Sequence, residues 1–403
     1  VLAAMQILSQ EFVIGKDFRD IEKLSNLENE SYSFDMLGEA ARTMRQADNY
    51  FNAYMNAIDE VGKLNLIKNL NNGVSIKISA LHPRYEMRKF KDLESQLIPR
   101  LIELVHYAHS KDVEITIDAE EQDRLTLSLN IIEKLALDKV IKNWTGFGIA
   151  LQAYGKRSIN VIHWFNKILD KREKMHLRLV KGAYWDYEIK HAQVLGYEDY
   201  PVYSKKSLTD ISFLLCAKEI LKNEKIYAKF ATHNAHTISS VHQLGQGKDY
   251  EFQRLYGMGE LLYQSAEKVL NLEKKPSVYA PIGSYKDLLP YLVRRLLENG
   301  ANSSFINRLL DPETDANWLA ENPTIRIEKE KIDIPLPKNI FTERKNSSGF
   351  DLSENSNLEN LEKNISAHKK NKINAESIYL NRDERGNVGQ KVYSIANNEE
   401  IGT

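Results

Sequence analysis

The chain has 403 residues, 42% of them hydrophobic, enough for one large core with an appendage or for two ordinary domains. Lys+Arg 55 against Asp+Glu 56 gives a formal net charge of -1, which excludes an overall basic field aimed at nucleic acid and makes any anion site local. A single cysteine, Cys216, excludes an internal disulfide framework and fits a reducing compartment, and no stretch reaches the ~20 apolar residues that span a bilayer.

Residues 1–70 read as a helical segment, because "SFDMLGEAARTMRQADNYFNAYMNAIDEVGKL" carries helical periodicity with an aspartate near its start. From residue 74 short β-branched and apolar runs take over: "VSIKISAL" (74–81), "VEITIDA" (113–119), "FGIALQAY" (147–154), "HLRLVKGA" (176–183), "YAKFATH" (227–233), "YEFQRL" (250–255) and "SVYAPIG" (277–283). Most are separated by helix-like segments, which predicts a parallel sheet, and seven or eight such units over 71–310 suit a (β/α)8 barrel. The eighth strand is the weakest assignment, with "SSFINR" (303–308) as its candidate. No strand runs into a GxGxxG or GxxxxGK[ST] turn, so a doubly wound nucleotide fold loses its main support. Cys216 lies in the apolar helical run "SFLLCAKEIL" and reads as a core residue. Asn, Ser, Lys and Glu dominate beyond about 340, and 311–403 therefore reads as a largely irregular linker or tail.

Alternation within the strands sorts the side chains. Val74, Ile76 and Ile78 oppose Ser75, Lys77 and Ser79; Ile115 and Ile117 oppose Asp118; Ile149 and Leu151 oppose Gln152; Leu177 and Leu179 oppose Arg178. Four successive strands thus send one polar or charged side chain each toward the barrel axis, where branched apolar residues are usual. A charge there needs a partner. Lys77 and Asp118 could satisfy each other, whereas a polar ligand at the mouth accounts for all four residues.

In "YLVRRLLENG" the side chains of Tyr291, Arg294, Arg295 and Glu298 fall within an arc of roughly 100°, opposite Leu292, Val293, Leu296 and Leu297. That stripe is either a solvated face or a carboxylate clamp, and as a clamp it gives the ligand an anionic part. "GAYWD" sets Gly182, Ala183, Tyr184 and Trp185 just past a strand, where barrel enzymes keep their sites; aromatics there either join the core or pack on a flat cofactor. His233 and His236 stand three apart without a third ligand at a recognisable spacing, so they are expected to form hydrogen bonds at a strand end, and no metal is expected.

Taken together, the sequence resembles the proline dehydrogenase module of the bifunctional proline utilization A flavoenzyme family. The resemblance rests on nine ordered blocks from residue 33 to about 310: "SFDMLGEAA", "VSIKISALHPRYE", "TIDAEEQDRL", "RLVKGAYWDYEIKHAQ", "DYPVY", "FATHNAH", "EFQRLYGMGE", "YAPIG" and "YLVRRLLENGANSSFINR". It implies a distorted (β/α)8 TIM-type barrel whose mouth is capped by the arginine-bearing helix. It also implies FAD-dependent oxidation of L-proline to Δ1-pyrroline-5-carboxylate, with hydride passing from ring C5 to flavin N5 and the electrons going to membrane quinone.

Site roles follow from the same resemblance. Lys77 and Asp118 match active-site residues, Arg294 and Arg295 match the pair that binds the proline carboxylate, and Glu298 matches the acid beside them. Tyr279, Tyr291, Ala183 and Leu255 match substrate-pocket positions. Gln152, Arg178, Tyr184, Trp185, Thr232 and His233 match positions that contact FAD, with Asp118, Lys181, Gly182, Ala183, Asn234 and Glu298 beside them. An aldehyde dehydrogenase domain is expected beyond the tail of the full-length protein, no nucleic acid partner is expected for this stretch, and the expected setting is cytoplasmic with room for peripheral contact at the inner membrane. Two other readings compete. Another flavin-dependent barrel, such as a methylenetetrahydrofolate-reductase relative, would not require paired arginines; an inactive barrel module would be more stable with an apolar interior.

Overall fold

The structure is a computed structural model that describes residues 12–22, 30–68, 70–283, 291, 293–294, 321–330, 334–368 and 390–402. Eight strands alternate with helices: β1 (Tyr32–Met36), β2 (Gly73–Ile76), β3 (Glu114–Ile117), β4 (Phe147–Gln152), β5 (Met175–Val180), β6 (Ile226–Ala231), β7 (Tyr250–Leu255) and β8 (Ser277–Ile282). Each pairs in parallel with the next, and β1 pairs with β8 from Tyr32↔Val278 to Met36↔Ile282, so the sheet closes into a barrel.

The helices that return the chain are α1 (Met44–Lys68), α2 (Ile98–Ser110), α3 (Leu125–Ala136), α4 (Ser158–Leu169), α5 (Trp185–Leu195), α6 (Lys206–Ile220), α7 (Ala235–Leu244) and α8 (Glu260–Leu270). Their inner faces follow helical spacing. In α2 the buried residues are Ile98, Leu101, Leu104, Val105 and Ala108; in α3 they are Leu127, Ile131, Ile132, Leu135 and Ala136. These cover the outward strand residues Val74, Ile76, Ile115, Ile117 and Ile149, all buried, each such side chain contributing roughly 1.5–3 kcal/mol. Cys216 is buried on α6 in this layer, as its apolar context predicts. Beyond the barrel come α9 (Pro323–Lys329), α10 (Asn355–His368) and a hairpin of β9 (Val392–Tyr393) with β10 (Glu400–Gly402). Among the described residues no helix is long and apolar enough to cross a membrane.

The seven expected strands correspond to β2–β8, and the missing one precedes them. Tyr32–Met36 lies inside the segment read as helical, so the barrel begins near residue 32 and not at 71. The apolar residues of "SFDML" also fit a helical pattern continuing into α1, but the two-residue alternation of Tyr32, Phe34 and Met36 is the one the fold uses. The candidate 303–308 lies outside the described residues. Several strands also stop short of their runs. β2 ends at Ile76, and Ile78–Ala80 form a 3-10 turn, yet Lys77 keeps extended backbone (φ -95, ψ 119) and continues the inward phase.

Candidate active site

The inward residues of β1, β2, β3, β5 and β8 meet at the C-terminal end of the barrel. Lys77 Nζ lies 2.5 Å from Asp35 Oδ1, 3.4 Å from Asp118 Oδ2 and 3.4 Å from the Tyr279 hydroxyl. Tyr279 donates to Asp118 Oδ2 at 2.8 Å, and Arg178 donates to Asp118 Oδ1 at 2.7 Å. Arg178 is anchored from below by Ser75 Oγ (3.0 Å) and Ser33 Oγ (2.7 Å), with its guanidinium carbon 5.1 Å from the Tyr279 ring centre. Burial alone would lower the Lys77 pKa, but Asp35, then Tyr279 and Asp118, hold it well above its ordinary value, so the ammonium stays charged. Burial pushes Tyr279 well up, so it remains a hydroxyl donor.

Arg294 faces this network across a small cavity lined by Asp35, Leu37, Gly38, Glu39, Lys77, Tyr291 and Arg294. Its guanidinium grips Glu39 with two bonds, Nη1 to Oε1 at 2.6 Å and Nη2 to Oε2 at 2.9 Å, and lies 5.0 Å from the Tyr184 ring centre. Burial would raise Glu39, yet the Arg294 bonds bring it below the usual carboxylate range. Tyr291 is 5% exposed while Val293 is 43% exposed, so here the polar stripe turns inward, which argues against a solvated face. Tyr291 also joins Phe12, Leu37 and Met258 in an apolar cluster against which Leu255 and Tyr279 pack.

The family model described as proline dehydrogenase matches residues 18–308. The chain belongs to the proline dehydrogenase family. It is 43% identical over 383 residues to the bifunctional protein PutA of Escherichia coli strain K12, and 42% identical over 387 residues to that of Klebsiella aerogenes. The first match covers 89% of this chain and 29% of the relative, the second 90% and 30%, so the chain spans about 30% of their length. A crystal structure of a mutant of Bradyrhizobium japonicum proline utilization A (PutA) superposes with a TM-score of 0.83 at 40% identity, covering 89% of this chain and 38% of that one.

Within this proline dehydrogenase barrel, the residues read as cofactor contacts line the ends of β4–β6. Gln152 ends β4, beside Val180 of β5; its Nε2 donates to Ala119 O and its Oε1 accepts from Gln122 Nε2, each at 3.2 Å, so it sits one step outside the charged network. Lys181 pairs with Asp210 on α6. Gly182 has φ +136, and a Cβ there would stand 2.6 Å from the Tyr154 ring, so only glycine fits. Ala183 is exposed, Tyr184 is half-buried, and Trp185 opens α5 with its Nε1 donating to Tyr203 O at 2.9 Å.

Past β6, Thr232 Oγ1 accepts from Asn234 N (3.2 Å), His233 Nε2 accepts from Leu255 N (3.0 Å), and Asn234 caps α7 by accepting from Thr237 N (2.9 Å). His233 is thus a hydrogen-bonding histidine, and among the described residues no cluster could hold a metal. The set suits a flat, anionic cofactor: cations, aromatic faces, and a buried Arg178 Nε without a hydrogen-bond partner among the described residues.

The sequence reading omitted Asp35 and Glu39. Lys77 has Asp35 as its nearest carboxylate and only then Asp118, and Arg294 is held by Glu39. Arg295 and Glu298 lie outside the described residues. The signal that finds Asp35 is the alternation of Ser33 and Asp35 with Tyr32, Phe34 and Met36.

Proposed function

We propose that this chain oxidises L-proline to Δ1-pyrroline-5-carboxylate using FAD, as the proline-oxidising part of a longer protein. The observation that carries the reading is the pairing across one cavity of a guanidinium, Arg294, with a buried ammonium–carboxylate network, Lys77, Asp35 and Asp118. Family membership and the bifunctional relatives support the same assignment.

Proline presents one carboxylate, one amine and an apolar ring. Arg294, released from Glu39 and joined by Arg295, holds the carboxylate through charge-assisted bonds and fixes the ring. Tyr291, Leu255 and Tyr279 enclose the ring and exclude water, while Asp35 and Asp118 place negative charge on the amine side. Lys77, kept charged by Asp35, serves to fix these carboxylates rather than to take a proton. Gln152, Arg178, Lys181, Gly182, Ala183, Tyr184, Trp185, Thr232, His233 and Asn234 would hold FAD, which when bound supplies the two-electron acceptor for the hydride leaving ring C5. Electrons then pass to quinone at the inner membrane, reached from the cytoplasm by peripheral contact, and the product passes to an aldehyde dehydrogenase domain of the full-length protein.

The test is the visible absorbance of the purified chain before and after adding L-proline without oxygen. A flavin band that bleaches is the expected result. A band that does not bleach overturns the substrate, and no flavin after reconstitution with FAD overturns the cofactor.

A further inference from the structure

Past α9 the chain has the composition of a linker, yet it is bonded to the barrel every few residues. The Glu330 carboxylate accepts from the N–H groups of Lys206 (3.1 Å) and Ser207 (3.2 Å) and from the Ser207 hydroxyl, at the N-terminus of α6. Pro335 O accepts from the Tyr200 hydroxyl at 2.7 Å. Asn346 Nδ2 donates to Gln193 O at 2.8 Å and to Pro337 O at 3.1 Å. Gly349 N donates to Gly196 O at 3.2 Å. The two backbones are so close that a Cβ on Gly196 would stand 1.8 Å from Ser347 O, and one on Gly349 1.9 Å from Leu195 O. Gly196 is the left-handed C-cap of α5, so this segment seats the far end of the helix that begins at Trp185.

Further on, Glu354 accepts from Arg157 Nη1 and, at 3.1 Å, from Thr126 Oγ1. Arg157 Nη2 donates to Gln122 O at 3.1 Å, Gln122 Nε2 to Gln152 Oε1 at 3.2 Å, and Gln122 N to Glu188 Oε1 of α5 at 2.7 Å. Two bonded routes therefore reach the barrel mouth from outside: Gly349 through α5 to Trp185, and Glu354 through Arg157 and Gln122 to Gln152.

We propose that residues 334–354 form a strap that positions the cofactor face of the barrel, with Gly349 and Glu354 as its positioning residues. The inference rests on the flavin reading above. A loosened strap lets α5 and the Gln122 turn sample other arrangements, and binding must then supply the ordering, which lowers apparent affinity by the fraction of competent molecules.

The test is equilibrium FAD binding to the apo form of the full chain, for wild type, Glu354→Gln, Gly349→Ala and the exposed control Lys338→Ala, with the visible band of the bound flavin and the melting temperature recorded for each. Glu354→Gln is expected to weaken FAD about three- to tenfold and Gly349→Ala more, both with an altered flavin band, while Lys338→Ala changes neither. Wild-type affinity in both strap variants, or an affinity loss that merely tracks melting temperature with an unaltered band, overturns the strap. Hydrogen exchange at the α5 amides of the same apo-proteins separates this inference from the flavin reading. Faster exchange in the strap variants supports the strap even if wild type bound no FAD, and unchanged exchange removes it.

Discussion

The barrel interior holds two charged networks, one at each end, built from the same chemistry. At the floor, Lys229 pairs with Glu114 and lies 3.5 Å from Glu251. Glu251 also accepts from Ser277 Oγ (2.7 Å) and Tyr227 OH (3.0 Å), and Thr116 bonds His176 at 3.0 Å. Burial, then Lys229 and Arg178, push His176 well below its ordinary value, so it is neutral. At the mouth, Lys77 and Arg178 balance Asp35 and Asp118, but this network borders a cavity with Arg294 on its far side. Both ends bury charges that would cost less as apolar side chains. Among the described residues it is the mouth network that borders a cavity with room for a ligand. A buried ion network is thus not by itself a sign of function; the adjoining space is.

Two methionine substitutions probe that difference most strongly. Lys229→Met leaves Glu114 and Glu251 facing each other and should cost about 3–5 kcal/mol of stability, measured by urea unfolding, with turnover per folded molecule unchanged. Lys77→Met should destabilise by a comparable amount and in addition lower kcat/KM for L-proline by about 10²–10³-fold, because Asp35 and Asp118 lose the group that places them. If Lys229→Met loses turnover to the same degree, the two ends do not divide the labour as argued.

Next in size is Arg294. Arg294→Ala should raise the KM for L-proline about 10–100-fold with flavin retained, the equivalent of one charged hydrogen-bonded contact. Steady-state kinetics on protein of known flavin content decide it. A fall in kcat with KM unchanged would move Arg294 from substrate binding to the chemical step.

The same contrast explains what could be read from the chain beforehand. Strands β2–β8 were legible because outward Val, Ile and Leu alternate with inward polar residues, and Lys77, Asp118, Gln152 and Arg178 stood out as polar side chains where apolar ones are usual. β1 was masked because its five-residue alternation, though present, runs on toward a long amphipathic helix whose period its apolar residues also fit. With β1 went Asp35, and with the turn after it went Glu39. Ion-pair choice was hidden for a different reason: alternation gives the face a residue takes, whereas the partner depends on strand stagger across the closed barrel, which sets Asp35 closer to Lys77 than Asp118. The strap was hidden because its bonds are made by side chains and backbone over distances in sequence such as Thr126 to Glu354, with no periodic pattern to announce them.

The smallest effect concerns Glu188, a carboxylate on α5 that belongs to neither network. Glu39 is brought below the usual range by Arg294, whereas among the described residues Glu188 accepts from neutral donors, Gln122 N at 2.7 Å and Tyr154 OH at 3.4 Å, and burial raises it to about 8. Below about 4.5, its ordinary value, folded and unfolded chains both hold the proton, and the group takes nothing from stability. Between about 4.5 and about 8 the unfolded chain releases that proton while the folded chain keeps it, so stability falls as pH rises, and the loss is complete above the folded value. Glu188→Gln keeps the acceptor oxygen and cannot ionise. It should flatten the decline in unfolding free energy between about pH 5 and about pH 8 by on the order of 1–2 kcal/mol, read by urea denaturation at each pH. An undiminished slope in the variant would assign the proton uptake to another buried acid, with Glu120, raised to about 7 by burial, the next to replace.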